Sequence, residues 1–350
     1  MMEKRGLRIL DSIKDHIFIG GPNAISGWGL LILLVLSGGF YAGRLRPGID
    51  LPLFIAVLIA AALTGNGVYA LNAYFDREAD AINKPNRPIP SGRMTPKHAK
   101  RYAWTLMIVG LAVSGVTSIV YGNYLMITLW SIFTLLGIAY THPPINLKGR
   151  HIWGNLCFGA FTVLTFFIGI ILGTTRIPVS YLVPMILYIF YIGGLITMKD
   201  FQDVEGDRKH GDITLPVKVG RRKAALLSIG LMAVPTIVLS VMNPPSSIIS
   251  WVESNFSFLI IATSFTVYAV LDRVGRDHIV SDAYSRVIYF YVILFAAYGF
   301  LKGALIPYNI IPLVLKYDRY IALAAYVIVA TVTILRSHKM GHDVLKPSMK

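Results

Sequence analysis

Two short acidic stretches hold the residues with the most chemical promise. Asn72, Asp76 and Asp80 are spaced i, i+4, i+8; Asp200, Asp203 and Asp207 are spaced i, i+3, i+7. On a helix, either spacing puts three oxygen-bearing side chains on one face. A column of like charges is unfavourable unless a cation sits with it. Oxygen-only donors suit Mg²⁺, Ca²⁺ or Mn²⁺. Neither stretch has EF-hand spacing, which argues against a calcium loop. Mg²⁺ keeps part of its water and takes one or two carboxylates together with substrate phosphates. Two such columns face to face fit a diphosphate bridged by Mg²⁺. Arg87, Arg93, Lys148, Lys199 and Arg208 are expected close by and can take the phosphate oxygens that the metal leaves free. Asp76 and Asp203, mid-column, are the foremost ligand candidates. Asn72, uncharged and deepest, is expected to ligate through its carbonyl or to hydrogen-bond a diphosphate oxygen. Asp80 and Asp207 lie furthest toward water, and Gly206 can end the helix before Asp207. Arg87 sits in "NRPIPSG", a rigid loop that can cap the site.

The elements that must position these residues are apolar. The chain has 350 residues, 55% hydrophobic and only 15% charged, with a mean hydropathy of +0.61. That composition marks an integral membrane protein. Ten apolar runs stand out, at 24–43, 51–75, 102–121, 123–141, 153–173, 180–198, 223–242, 256–271, 286–305 and 319–335. Each is near the ~20 residues a helix needs to cross a bilayer. Continuous apolar runs without alternation predict helices, not strands. The fold expected is all-α, a multi-pass transmembrane helical bundle in a single domain over 1–350, with a cytoplasmic segment at 1–23 and a cytoplasmic tail at 337–350. With both ends inside, 27 of the 33 Lys and Arg fall on the cytoplasmic side. The net charge of +15 therefore follows membrane topology, and no nucleic-acid partner is expected. A single cysteine, Cys157, rules out a disulfide within the chain. The N-terminal stretch lacks a continuous apolar core, reads as no cleavable signal, and suits a short amphipathic helix.

A diphosphate held at the mouth of an apolar chamber suggests a prenyl diphosphate, its tail among the helices and membrane lipid around them. Ionisation of its allylic carbon–oxygen bond needs charge stabilisation at the leaving group. The resulting cation needs a dry site with π-electrons. Tyr181, Tyr188, Phe190 and Tyr191 on the sixth run are candidates for that wall.

At this point the motifs resemble those of the UbiA superfamily of intramembrane prenyltransferases. Asn72, Asp76 and Asp80 match that family's Asn-x-x-x-Asp-x-x-x-Asp. Asp200, Asp203 and Asp207 match its Asp-x-x-Asp-x-x-x-Asp. "YTHPPINLKGRHIWGN" matches its Tyr…Pro…Leu-Lys stretch through Tyr140 and Lys148. The resemblance spans about residues 20–310. It implies a barrel of about nine helices, with the tenth run as an extra C-terminal helix, and a cavity open sideways to lipid. It also implies two Mg²⁺ ions on Asn72, Asp76, Asp80, Asp200, Asp203 and Asp207. Asn72, Arg87, Lys148 and Arg208 are the implied diphosphate contacts, and Asp76, Asp203, Lys148 and Tyr140 the implied catalytic group. One departure is Ala73, where many members carry a further Asp. The lipophilic acceptor stays open between a chlorophyllide-type carboxylate and geranylgeranylglyceryl phosphate, with an aromatic quinone precursor as the third option.

Two other classes fit less well. A transporter places its ionisable residues near the midplane, and these lie at the membrane edge. A phosphoalcohol transferase also uses membrane-edge aspartates, but its glycine-rich acidic signature is missing. The topology is directly testable: Lys97 and Lys218 should be labelled from the cytoplasmic face of oriented vesicles, and labelling only from the other face inverts it.

Overall fold

Asp50 opens one of the two longest described helices. Its Oδ1 accepts from Leu53 N–H at 3.0 Å, satisfying a donor that a helix start leaves unpaired. From there α2 (Leu51–Phe75) runs for 25 residues. At 1.5 Å per residue that is about 37 Å, enough to cross a bilayer core. In this computed structural model the described residues are 12–17, 19, 28–41, 50–172, 176–177, 179–201 and 203–248, with isolated positions 259, 262 and 266.

Before α2 lies α1 (Trp28–Tyr41); after it come α3 (Arg77–Asn83), α4 (Pro96–Val120) and α5 (Tyr124–Thr141). The chain continues through α6 (Ile152–Ile170), α7 (Leu182–Asp200), α8 (Val204–His210), α9 (Leu215–Val219) and α10 (Arg221–Met242). Six of these helical segments are long and apolar enough to cross a membrane, and the chain is an integral membrane protein. The first seven expected runs each coincide with a helix. The runs at 286–305 and 319–335 and the tail 337–350 lie outside the described residues, as does nearly all of 256–271. One detail departs from an all-helical reading. Two-residue strands, β1 (Arg150–His151) and β2 (Ile213–Thr214), pair in parallel, Arg150 with Ile213 and His151 with Thr214.

In the bundle, α2 packs along α4, α1 bridges α2 and α6, α5 lies between α4 and α6, and α7 separates α6 from α10. The main core lies between them, around the fully buried Trp130, Phe133, Leu71, Met107 and Ile168. Lipid gives helices no hydrophobic drive to associate, so close approach and internal polar contacts matter more. Asn66 shows the second: buried mid-helix on α2, it donates to the Tyr102 hydroxyl of α4 at 3.0 Å. Residues 12–17 form a short helical stretch laid against α4, where His16 Nε2 meets His98 Nε2 at 2.7 Å. The expectation of a short N-terminal helix holds over these residues.

Gly67 shows the first. A Cβ there would lie 2.6 Å from Met107 Cγ and 2.9 Å from the Ala103 carbonyl oxygen on α4. Backbone cannot yield to that contact as a flexible side chain can. Gly67→Val should therefore lower stability by about 1–3 kcal/mol, measured by thermal unfolding in detergent.

Candidate active site

Both acidic stretches sit at helix breaks, and the breaks bring them together. α2 ends at Phe75, and Asp76 caps it with φ −78° and ψ −1°. α3 begins at once, and Asp80 N–H still bonds the Asp76 carbonyl at 2.7 Å. The first column is thus a bent helix carried past one capping residue. In the second stretch, α7 ends at Asp200 and α8 starts after Asp203. The second break therefore comes before Asp203. Gly206, expected to end the helix, lies inside α8.

α3 and α8 pack against each other. Asn83 stitches them: its Nδ2 donates to the Asp203 carbonyl at 3.0 Å, and its Oδ1 accepts from Gly206 N–H at 3.0 Å. Lys84 adds charge to the join, with Nζ 2.5 Å from Asp203 Oδ2 and 3.8 Å from Asp80 Oδ1. Two sites about 120 residues apart in sequence thus share one ammonium. Neither residue belongs to the acidic spacings or to the expected bases. Lys84 had a signal, since it stands four residues after Asp80 on a helix. Asn83 had none, because its role appears only once the two breaks meet.

Arg87 is where its rigid loop was expected to bring it. Ile89 and Met94 are buried beneath the loop, turns such as Ser91 N–H to Arg87 carbonyl (3.0 Å) fix it, and Arg87 Nη1 reaches Asp80 Oδ2 at 2.5 Å. Lys148 comes from a 3₁₀ turn, Leu147–Gly149, between α5 and β1. It is 7% exposed. Its Nζ lies 2.8 Å from Asp76 Oδ2, 3.9 Å from Asp207 Oδ1 and 3.9 Å from Asp212 Oδ2. Asn72 Nδ2 donates to Asp76 Oδ2 at 2.9 Å and to Thr141 Oγ1 at 3.3 Å. Asp200 is buried beside a small concavity lined by Tyr140, Lys148, Gly154, Asn155, Ile196 and Asp200 itself.

Two expected bases stand apart. Arg93 pairs with Asp15 and donates to the Asn86 carbonyl. Arg208 is exposed on α8. Lys199 does join the site: Nζ donates to the Tyr140 hydroxyl at 3.2 Å and lies over the Phe158 ring at 5.4 Å. The expected aromatic wall is corrected. Tyr188 and Phe190, two positions apart and so on different sides of α7, are 49% and 38% exposed. The rings that cluster are Tyr140, Phe158, Phe133 and Phe161 on α5 and α6, with Phe161 5.6 Å from both Tyr140 and Phe133.

Electrostatics follow from burial. Burial by itself would raise the Asp76 carboxyl, but the charge and hydrogen bond of Lys148, with Lys199 and Arg87 behind it, hold it below the ordinary value. Lys148 is the mirror case: burial pulls it down, and Asp76 and Asp207 push it well above the ordinary lysine range. Burial raises Asp80 despite Arg87 and Lys84. Burial also pushes Asp207 up to about 7; Lys148 offsets only part of it, and Asp203, Asp200 and Asp212 add to the rise.

Among the described residues no three Asp, Glu, His or Cys close on a single ion; lysine and arginine side chains lie between the acids. The donor set nonetheless fits Mg²⁺, which asks for one or two carboxylates and leaves other positions to water and phosphate. Asp203 Oδ1 is buried with no hydrogen-bond partner. A buried, unpaired carboxylate oxygen is costly, and a cation would satisfy it.

Residues 31–281 match the profile of the UbiA prenyltransferase family. The chain is 34% identical over 216 residues to the digeranylgeranylglyceryl phosphate synthase of Methanothrix thermoacetophila, covering 60% of this chain and 73% of that protein. It is 33% identical over 202 residues to the bacteriochlorophyll synthase 33 kDa chain of Cereibacter sphaeroides, covering 55% of this chain and 63% of that one. In fold it resembles a UbiA homolog from Archaeoglobus fulgidus solved with GPP and Mg²⁺, with TM-score 0.56, 18% identity, and coverage of 91% of this chain and 99% of that one.

The raised Asp207 predicts a pH effect. Its folded value, about 7, exceeds the ordinary 3.8, so the fold favours the protonated form. The stability this contributes is full below pH 3.8 and is lost as pH rises through about 7. In chelator, the wild type should therefore melt lower at pH 8 than at pH 5, and Asp207→Asn should flatten that difference by several degrees in a thermal scan.

Proposed function

We propose roles for these side chains from one premise: the chain belongs to the UbiA prenyltransferase family, and it is a membrane-embedded prenyltransferase. In this reading it moves a prenyl group, of geranylgeranyl type, from its diphosphate to a lipophilic acceptor within the membrane. The allylic carbon–oxygen bond breaks with its electron pair leaving on the diphosphate. An acceptor oxygen captures the allylic cation; where that oxygen is a hydroxyl, its proton is released.

The observation that carries the reading is Lys148 held between Asp76 and Asp207, one acid from each column. Two Mg²⁺ ions would be held by Asn72, Asp76 and Asp80 on one side and by Asp200, Asp203 and Asp207 on the other. Mg²⁺, when bound, takes up charge as it develops on the departing diphosphate. Lys148 and Arg87 bind and orient the diphosphate oxygens. The buried Lys148 charge acts strongly because little water screens it. Tyr140, with the Phe158 and Phe161 rings, walls the allylic carbon from water and offers π-faces to a cation.

An oxygen nucleophile is favoured because the matched relatives are named for such products, digeranylgeranylglyceryl phosphate and bacteriochlorophyll. The distribution of Lys and Arg supports a cytoplasmic side for this end of the bundle, in the cell membrane.

One experiment tests the whole reading. Purified enzyme is incubated with geranylgeranyl diphosphate, Mg²⁺ and three acceptors: geranylgeranylglyceryl phosphate, chlorophyllide and a hydroxybenzoate. A prenylated mass should appear with one of the first two, vanish in EDTA and return with Mg²⁺. Asp76→Ala and Asp203→Ala should each lower the rate at least about a hundredfold, with the fold intact. Product only from hydroxybenzoate would move the acceptor to the quinone class. Undiminished rates in both variants would remove the metal assignment.

A further inference from the structure

Asp212 belongs to neither column, yet it is 4% exposed and engaged through both oxygens. Oδ1 accepts from Asn146 Nδ2 at 2.8 Å. Oδ2 lies 3.9 Å from Lys148 Nζ and 3.3 Å from His210 Nδ1. Asn146 holds φ at 37°, the left-handed region, two residues before Lys148. The carboxylate presses so close to the turn that a Cβ on Gly149 would lie 2.6 Å from Oδ1. Beyond these contacts the two loops are sewn by the β1–β2 pairing and by His151 Nδ1 against the Ile213 carbonyl oxygen at 2.7 Å.

Two demands meet on this one side chain, and they are separable. Joining the loops needs a hydrogen-bond acceptor at Oδ1, with the strand pairing alongside. That join does not need a negative charge on Oδ2. The charge acts on Lys148, whose ammonium is otherwise drawn to Asp76, its nearest acid at 2.8 Å. An ammonium sunk onto one carboxylate is poorly placed for a diphosphate oxygen that must span both columns.

We propose that Asp212 is a positioning residue for prenyl transfer: through Asn146 it sets the loop that carries Lys148, and through its charge it keeps that ammonium poised between the two acid columns. The inference rests on Lys148 serving the diphosphate, as argued above. Misplacing Lys148 weakens its help to the charge that develops in the transition state. Ground-state binding, shared with Arg87 and the metal ligands, changes little.

Asp212→Asn keeps the shape and the Oδ1 acceptor and removes only the charge. Rates are read with geranylgeranyl diphosphate and the acceptor that gives product in the panel above. The variant should lose about tenfold in kcat, with KM for the prenyl diphosphate within about threefold of wild type and an unchanged melting temperature. Lys148→Met, run beside it, should lose far more. A wild-type kcat in Asp212→Asn overturns the proposal. So does a loss of kcat matched by a falling melting temperature, which is the mark of a merely structural residue. A fully active Lys148→Met would instead overturn the diphosphate reading beneath it, and the positioning role with it.

Discussion

A charge in a low-dielectric interior must meet its opposite or be neutralised, and that constraint shapes the polar end of this bundle. Asp76, Asp80, Asp200, Asp203, Asp207 and Asp212 are all buried there. Such a gathering of acids would drive its own helices apart. Lys148, Lys84 and Arg87 hold it together, each on an acid of this group. The arrangement remains imperfectly balanced: burial leaves Asp207 reluctant to ionise, and one oxygen of Asp203 is unpaired. Structural ion pairs are usually satisfied more completely. Incomplete satisfaction among buried charges fits a site that receives charged ligands.

The backbone supplies the convergence. A straight α2 would carry Asp80 onward along its own axis, and a straight α7 would do the same for Asp203 and Asp207. Each helix instead breaks next to an acid, and the short helices that follow, α3 and α8, lie against one another. Two loops complete the enclosure: the proline-rich one that delivers Arg87, and the 3₁₀ turn that delivers Lys148. Beneath them the walls are aromatic and apolar, from α5 and α6. Polar chemistry and apolar shelter therefore meet at one level, where helices give way to loops.

Much of this was legible in the sequence, for reasons that differ by residue. The membrane helices announce themselves because lipid demands long apolar runs; α2 begins and ends where its run does. The six motif positions were legible because like-charged residues at helical spacing are unfavourable without a purpose. Arg87 was legible because proline stiffens its loop. What stayed hidden depends on long-range geometry. Asn83 and Asp212 are ordinary loop-edge residues until the two breaks come together. The sixth run is rich in tyrosine, but composition does not say which face of a helix turns inward. Arg93 lies near the first acids in sequence, yet it turns to Asp15.

The cross-tie made by Lys84 has a consequence for handling the protein. Because one ammonium spans Asp80 and Asp203, the two halves of the polar end remain joined by a group that cannot be dialysed away. Many metal-dependent proteins fall apart when stripped. This one carries its own substitute counter-charge, so extraction in chelator should yield a closed, refillable form and not a denatured one.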